Sequence, residues 1–282
     1  MIYYCDVHRY EIVRQKLDGS VREVFVGEDV DNCEGLAVDW IGRNLYWTDD
    51  ALGRVSVARL DAPNIRTVLI SETDFNPRAI VLDPVNGVMW WTVWEGNISG
   101  TRIGRIETAF MDGERRRVII DTELYWPNGL VHDANTGYLY WCDTFLNKIE
   151  RVHVSKSGDV IAGASREVLA AHSATLPLSK PYGLALRYGE LLWSEHGTGL
   201  VRKLRGATAI TVLAFPPPLY DIRFVSNNTR IGSNACAHDN GGCSELCLAR
   251  DDDRTCSCRA GRVVAANGQT CVITPYSALH TC

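Results

Sequence analysis

Short runs of apolar and aromatic residues, each closed by a small residue and usually an acid, punctuate this chain at regular intervals. The fullest is Leu45-Tyr46-Trp47-Thr48-Asp49, and its echoes are Tyr3-Tyr4-Cys5-Asp6, Trp90-Trp91-Thr92-Val93, Tyr140-Trp141-Cys142-Asp143 and Leu192-Trp193-Ser194-Glu195. They recur roughly every 45–50 residues, close to the four-stranded propeller blade of about 40–45 residues. Each of the later four follows an apolar run suited to a buried inner strand: Gly35-Leu36-Ala37-Val38-Asp39, then residues 79–83, 129–133 and 183–186. An alternating segment follows, as in residues 54–60, and Asp18-Gly19 and Asp112-Gly113 are hairpin signals because glycine tolerates the positive φ of a tight turn. The pattern predicts antiparallel units that bury their faces only by stacking on one another.

Alternation on a strand sends Tyr46 and Thr48 to one side and Trp47 and Asp49 to the other, so each copy offers one large ring to each neighbouring unit. Tyr46, Trp47, Trp91, Trp141 and Trp193 are therefore expected in the core, where an aromatic side chain removes about 150–250 Å² from water. The half-buried acid of each copy needs donors, and Arg14, Arg59 and Arg151 on the following strands are candidates.

Taken together, the Tyr-Trp-Thr-Asp run, the preceding Gly-Leu-Ala-Val-Asp and the following Leu-Asp-Gly resemble the class B (YWTD) repeats of the low-density lipoprotein receptor family. The resemblance covers residues 1–235, most closely a large receptor-related member, and implies an all-β, six-bladed-type β-propeller. About five blades are accounted for. The family's ring has a blade ahead of the one containing Tyr3 and closes through a strand matching residues 221–225, so the chain reads as an N-terminally truncated fragment with an incomplete ring. Val93, Glu195 and Arg187 depart from the acids of the repeat.

Six of the ten cysteines are clustered at Cys236, Cys243, Cys247, Cys256, Cys258 and Cys271. Spacing alone leaves 15 connectivities open. With Asn240-Gly241-Gly242 ahead of Cys243, the segment resembles an epidermal-growth-factor-like module, residues 236–271. That resemblance implies Cys236 with Cys247, Cys243 with Cys256 and Cys258 with Cys271, in a calcium-free rigid spacer. So small a unit needs disulfides, each worth about 2–4 kcal/mol, and they imply an oxidising compartment. Residues 272–282 are a tail or the start of a further cysteine-rich module, with Cys282 its first cysteine. Cys5 and Cys142 stand at the motif's Thr position and are expected to stay unpaired; a bridge from Cys5 to Cys33 is the alternative.

Composition adds exclusions. A net charge of −5 lacks the basic excess of a nucleic-acid binder. No stretch of about 18 apolar residues is present to span a membrane, and the chain opens inside an aromatic strand without a charged and then apolar leader. The seven histidines show no metal-ligand spacing, and Ser194-Glu195-His196 cannot converge as a triad on one strand. No cofactor, metal or catalytic residue is expected, which leaves a propeller hydrolase as a remote alternative.

A binding surface is expected instead where chain leads into the inner strands. Its residues are Arg78, Trp94, Glu95, Trp126, Asn128, Lys180 and Tyr182, of which Trp94 and Trp126 match residues that contact protein partners in related receptors. The resemblance implies the ectodomain of an endocytic, single-pass receptor of the cell surface and endosome lumen. Its partners would be protein ligands, lipoproteins or the receptor's own ligand-binding repeats, with a role in cargo release; a Wnt-type signalling co-receptor is the alternative. The family's pH-sensing face histidines align with Asn147 and Lys180, leaving His132, His172 and His196 as substitutes. Asn97 and Asn227 are glycosylation sequons of a secreted chain.

Overall fold

The computed structural model describes residues 1–95, 103–206, 208–225 and 231–274. Asn97, Asn227 and Cys282 lie outside the described residues. Five antiparallel sheets follow one another along the chain as blades of a β-propeller. The first has three strands: β1 (Ile2–Asp6), β2 (Glu11–Gln15) and β3 (Arg22–Val26). Four strands make each of the others. Blade 2 comprises β4 (Cys33–Asp39), β5 (Asn44–Asp49), β6 (Arg54–Arg59) and β7 (Arg66–Ser71). Blade 3 comprises β8 (Asn76–Asp83), β9 (Val88–Trp94), β10 (Gly104–Phe110) and β11 (Arg117–Ile120). Blade 4 comprises β12 (Pro127–Asp133), β13 (Tyr138–Asp143), β14 (Lys148–His153) and β15 (Glu167–Ala171). Blade 5 comprises β16 (Pro181–Arg187), β17 (Glu190–Glu195), β18 (Leu200–Arg205) and β19 (Thr208–Ala214).

The aromatic motifs form the second strand of blades 2 to 5, and alternation distributes their rings as the sequence requires. Trp47 packs toward blade 1 with Ile12 and Phe25, whereas Tyr46 packs toward blade 3 with Trp91, Met89 and Phe75. Trp90 meets Trp141 between blades 3 and 4, and Tyr140 meets Trp193 between blades 4 and 5. Trp91, Trp141 and Trp193 are wholly buried. Inner strands approach so closely that a side chain at the small positions would collide with the next blade: a Cβ at Gly35 would lie 2.5 Å from the Arg78 carbonyl oxygen, and one at Gly129 would lie 2.6 Å from that of Tyr182. This is the physical reason for the small residue that opens each apolar run.

Three expectations need correction. The acids closing the motifs of blades 2 and 4 are not satisfied by arginines. Asp49 accepts the backbone N–H groups of Asp31, Asn32 and Leu52, and Asp143 accepts those of Tyr125, Trp126, Phe145 and Leu146. Arg14 and Arg151 pair with Glu23 and Glu167, and Arg59 with Asp61. The Glu195 variant meets an arginine, Arg202, at 3.1 Å, and Asp6 of the first copy meets Arg22 at 3.3 Å. Secondly, Cys5 is bonded to Cys33, which joins blade 1 to blade 2, while Cys142 is free and buried. Thirdly, residues 221–225 form no strand, although they run beside β16: a Cβ on Gly183 would lie 2.7 Å from the Cα of Asp221.

Beyond the propeller, β20 (Leu246–Arg250) pairs with β21 (Asp253–Ser257), and β22 (Arg262–Val264) with β23 (Cys271–Ile273). The bridges join Cys236 to Cys247, Cys243 to Cys256 and Cys258 to Cys271. Strand β20 is not suspended in solvent. Leu246, Leu248 and Ala249 are buried in one cluster with Tyr46, Met89 and Met111 of blades 2 and 3. Asn44 Nδ2 donates to the Cys247 carbonyl at 2.9 Å, and Arg59 Nη1 to the Glu245 carbonyl at 2.9 Å.

Candidate ligand-binding face

At one end of the blades the inner strands start and the motif strands finish. Glu34, Arg78, Asn128 and Tyr182 each stand one residue before the small position of an inner strand, so they occupy equivalent places on four successive blades. The last three were singled out individually in the sequence, and Glu34 lies in the stretch leading into β4, where the face was also expected.

Arg78 is the hub. One guanidinium nitrogen pairs with Glu34, and another lies 3.0 Å from Asp50 Oδ2. Its charge sits 3.9 Å from the centre of the Trp94 ring, within the range of a cation–π contact. Burial raises the pKa of Glu34, and Arg78 opposes that rise. Asn32 Nδ2 completes the cluster by donating to Glu34 Oε1 and Asp50 Oδ1 at 3.0 and 2.6 Å.

An aromatic row continues from this hub. Trp94 stacks on Trp126 with centroids 5.7 Å apart, Trp126 meets Phe145 edge-on at 5.2 Å, and Phe145 stacks on Tyr125 at 5.2 Å. The Trp94 indole N–H donates to the Pro127 carbonyl at 3.2 Å. Asp143 fixes the row from below, since it accepts the backbone N–H of Tyr125 at 2.7 Å, Trp126 at 3.2 Å and Phe145 at 3.0 Å. Phe145 is 53% exposed, so the row presents an apolar ring to solvent.

Asn128 is held by donation from Nδ2 to Thr144 Oγ1 at 2.6 Å, and Thr144 donates in turn to the Pro181 carbonyl. Asn128 Oδ1 and Arg78 Nε are buried with no partner among the described residues. Tyr182 forms a second aromatic group, 5.4 Å from His196 and 5.5 Å from Tyr220. Burial and then the charge of Glu34 push the Tyr182 hydroxyl above its ordinary range. Burial and the nearby Lys180 lower the basicity of His196.

Of the residues singled out in the sequence, Arg78, Trp94 and Trp126 are thus in direct succession. Asn128 and Tyr182 lie on the neighbouring inner strands. Lys180 meets Asn147 by donating its backbone N–H to Oδ1 at 2.6 Å. Glu95 turns away to pair with Arg105. The histidines separate: His196 joins the face, His172 Nδ1 lies 2.8 Å from the Leu178 carbonyl oxygen, and His132 is buried against Trp90 and Asp83. Asp50, Phe145 and Tyr220 carried no signal in the sequence beyond following or facing a motif strand.

Ser194 and Glu195 make no catalytic set with His196. Ser194 donates to the Tyr220 carbonyl and is fully buried, and Glu195 is bound to Arg202 and Thr198.

Comparison with known proteins agrees with this architecture. The family described as low-density lipoprotein receptor repeat class B matches residues 43–84. A chain of a nidogen/laminin complex crystal structure is 32% identical, with a TM-score of 0.66 over 78% of this chain and 79% of that one. The protein belongs to the low-density lipoprotein receptor class B (YWTD) family. The human low-density lipoprotein receptor-related protein 5-like protein is 29% identical over 253 residues, 88% of this YWTD chain and 92% of that protein. Residues 236–271 match the family described as the coagulation factor Xa inhibitory site. A putative gluconolactonase, 17% identical with a TM-score of 0.59 over 78% of this chain and 75% of that one, shares the propeller fold alone.

Proposed function

We propose that this YWTD propeller is a non-catalytic platform for protein segments in a receptor ectodomain. The face centred on Arg78, Trp94 and Trp126 is its contact surface. The observation that carries this reading is the unbroken succession from the Glu34, Asp50 and Arg78 charge cluster through Trp94 and Trp126 to the exposed ring of Phe145. Aromatic residues beside arginine are the usual anchors of protein interfaces, where truncation costs about 2 kcal/mol or more. The buried, unpartnered Asn128 Oδ1 and Arg78 Nε add an acceptor and a donor of the kind that a peptide group or carboxamide satisfies. A partner contact is also in keeping with a relative seen in a nidogen/laminin complex.

The reading places the propeller outside the cell, on an endocytic receptor that handles protein or lipoprotein cargo and the receptor's own ligand-binding repeats. A Wnt-type co-receptor is the second reading, favoured by the likeness to a receptor-related protein 5-like chain. The test is to measure binding of receptor-associated chaperone, lipoprotein, protease-inhibitor and Wnt-class ligands at neutral and endosomal pH, with Trp94→Ala and Trp126→Ala beside the parent. Loss of at least about tenfold in affinity is expected for a true ligand, equal to about 1.4 kcal/mol. If every ligand binds both variants as tightly as the parent, the face is wrong. Hydrolysis of a small substrate by this face would remove the non-catalytic reading.

A further inference from the structure

Strand pairing brings one position of blades 2 to 5 into register. Opposite the motif tryptophans Trp47, Trp91, Trp141 and Trp193, the third strands carry Ser56, Glu107, Glu150 and Arg202. In blade 3 this position is a buried acid between two cations: Glu107 pairs with Arg105, two residues before it, and with Arg116 Nε at 2.5 Å. Blade 4 repeats the arrangement with Glu150, which lies 3.1 Å from Lys148 Nζ and 2.5 Å from Arg166 Nη2. Both glutamates are 2% exposed. Residues two apart on a strand share a face, and Arg116 and Arg166 each stand two residues before the acid's outer-strand partner, Val118 and Val168. Blade 5 inverts the pair, with Arg202 at this position meeting the motif acid Glu195.

Blade 2 keeps both cations and changes the acid. Arg54 stands two residues before Ser56, and Arg66 stands two residues before its outer-strand partner Val68. The ladder slips just before this position in blades 2, 3 and 4 alike, so the three backbones match here. Ser56 carries only a hydroxyl where the others carry a methylene and a carboxylate; it is buried and bonds to no group among the described residues. Arg54 Nε is buried without a hydrogen-bond partner, and Arg54 forms no ion pair among the described residues. Asp49, opposite Arg54 on β5, does not take the acid's role, because its oxygens accept the N–H groups of Asp31, Asn32 and Leu52. Arg66 reaches only Glu28 and Asp29, at 3.6 and 3.8 Å, and their side chains are 87% and 76% exposed. Such exposed pairs contribute little, whereas a buried guanidinium edge without an acceptor is costly.

We propose that Arg54, Ser56 and Arg66 form a site for a small monovalent anion, chloride or a carboxylate of acetate size, which takes the place that the Glu107 and Glu150 carboxylates hold in blades 3 and 4. The donors suit such a ligand. Two guanidinium groups and a hydroxyl supply charge-assisted hydrogen bonds from different strands of one blade. A single charge is what the sister blades place between their cations, and the acids Glu28 and Asp29 beside Arg66 disfavour a dianion by repulsion. The anion binds the folded chain and not the unfolded one, where Arg54 and Arg66 are no longer held together, so stability rises with its concentration. The site uses no residue of the contact face and is independent of the interaction reading.

The experiment titrates the whole chain with sodium chloride and follows the width of the chloride NMR resonance, with ionic strength held constant by a bulky sulfonate because any salt screens surface charge. Melting temperatures are measured on the same samples. The parent should show saturable broadening that sodium acetate displaces, and a melting temperature that rises with chloride. Arg54→Gln removes a charge-assisted hydrogen bond and should weaken chloride binding about tenfold or more. Ser56→Glu builds in the carboxylate of blades 3 and 4; it should abolish the broadening and melt above the parent at low chloride. Absence of saturable broadening in the parent overturns the proposal, as does equal broadening in Ser56→Glu. A Ser56→Glu chain that melts below the parent at low chloride, or fails to fold, overturns it too, because the two arginines would then not accept an anion at that place. Displacement of chloride by sulfate at lower concentration than by acetate overturns the monovalent class. Should Arg54→Gln not fold, the Ser56→Glu comparison decides alone.

Discussion

The Cys142 thiol donates to the Tyr182 carbonyl oxygen at 3.1 Å, and its sulfur accepts the Gly129 N–H at 3.2 Å. One side chain thus serves its own inner strand and the next blade's together, as the Ser194 hydroxyl does with the Gly183 N–H and the Tyr220 carbonyl. Burial raises the Cys142 pKa far above the ordinary thiol range, opposed in part by the Gly129 N–H. The group is a hydrogen-bonding spacer rather than a nucleophile. Cys142→Ser should keep both contacts and cost little. Cys142→Ala should lose about 1–3 kcal/mol through an unpaired buried N–H and carbonyl. Chemical denaturation of the two variants checks this, and equal stability would show that the tie contributes nothing.

Asp143 is fully buried and accepts four backbone N–H groups. Two come from the stretch entering β12 and two from the turn leaving β13. Asp143→Asn replaces one acceptor oxygen by a donor facing N–H groups, so a loss of about 2 kcal/mol or more is expected. Tyr125, Trp126 and Phe145 are the residues so anchored. The variant should therefore also weaken partner binding, whereas a destabilising change remote from the face should not. Binding at a temperature where the variant remains folded separates the two effects.

The blade order, the direction of every motif ring and the buried tryptophans were legible because a period-2 pattern repeated along the chain has one consistent solution. The partners of the motif acid were not. Sequence shows which side chains carry positive charge, but the winning donors of Asp49 and Asp143 are backbone N–H groups of loops, which have no residue signature. For the same reason Trp94 and Trp126 were readable as loop-end aromatics, while Asp50 and Phe145 joined the face only through how the turns after β5 and β13 point. The Cys5–Cys33 contact depends on the distance between two blades, and spacing along the chain says nothing of that.

Asp39 supplies a pH dependence with a definite sign. Burial is the largest influence, opposed by N–H groups of Gly42 and Ile41 and by Asn44, and the carboxyl is raised to about 6. An unfolded aspartate titrates near about 3.9, so the folded state holds the proton more tightly. Its contribution to stability is fully present below about pH 4 and is lost as pH rises through about 6, to the extent of about 2–3 kcal/mol. Asp39→Asn does not titrate. The difference in melting temperature between parent and variant should change between pH 4 and 6 in the direction of a weakening parent. Parallel curves over that range would remove the assignment.

The epidermal-growth-factor-like module is expected to unfold with the propeller rather than apart from it. Leu246, Leu248 and Ala249 are buried against Tyr46, Met89 and Met111. Asp112 at the hairpin of blade 3 accepts from Thr255 Oγ1 at 2.5 Å and lies 3.4 Å from Arg250 Nη1. The three bridges fix the module internally, but none crosses to the blades. Its attachment therefore rests on this apolar contact, on the Asp112 contacts and on the hydrogen bonds from Asn44 and Arg59. Placing a charge there by Leu248→Asp strands an unpaired carboxylate in the interface and forfeits the Leu burial, for which truncation alone costs about 2–5 kcal/mol. Because the same cluster includes the core ring of Tyr46, the loss should reach the propeller. The expected readouts are a lower melting temperature for the whole chain and faster hydrogen exchange in residues 44–49 and 88–94. The three module bridges should remain oxidised. A variant that melts like the parent, with no change in exchange in β5 or β9, would mean that the module only rests on the blades.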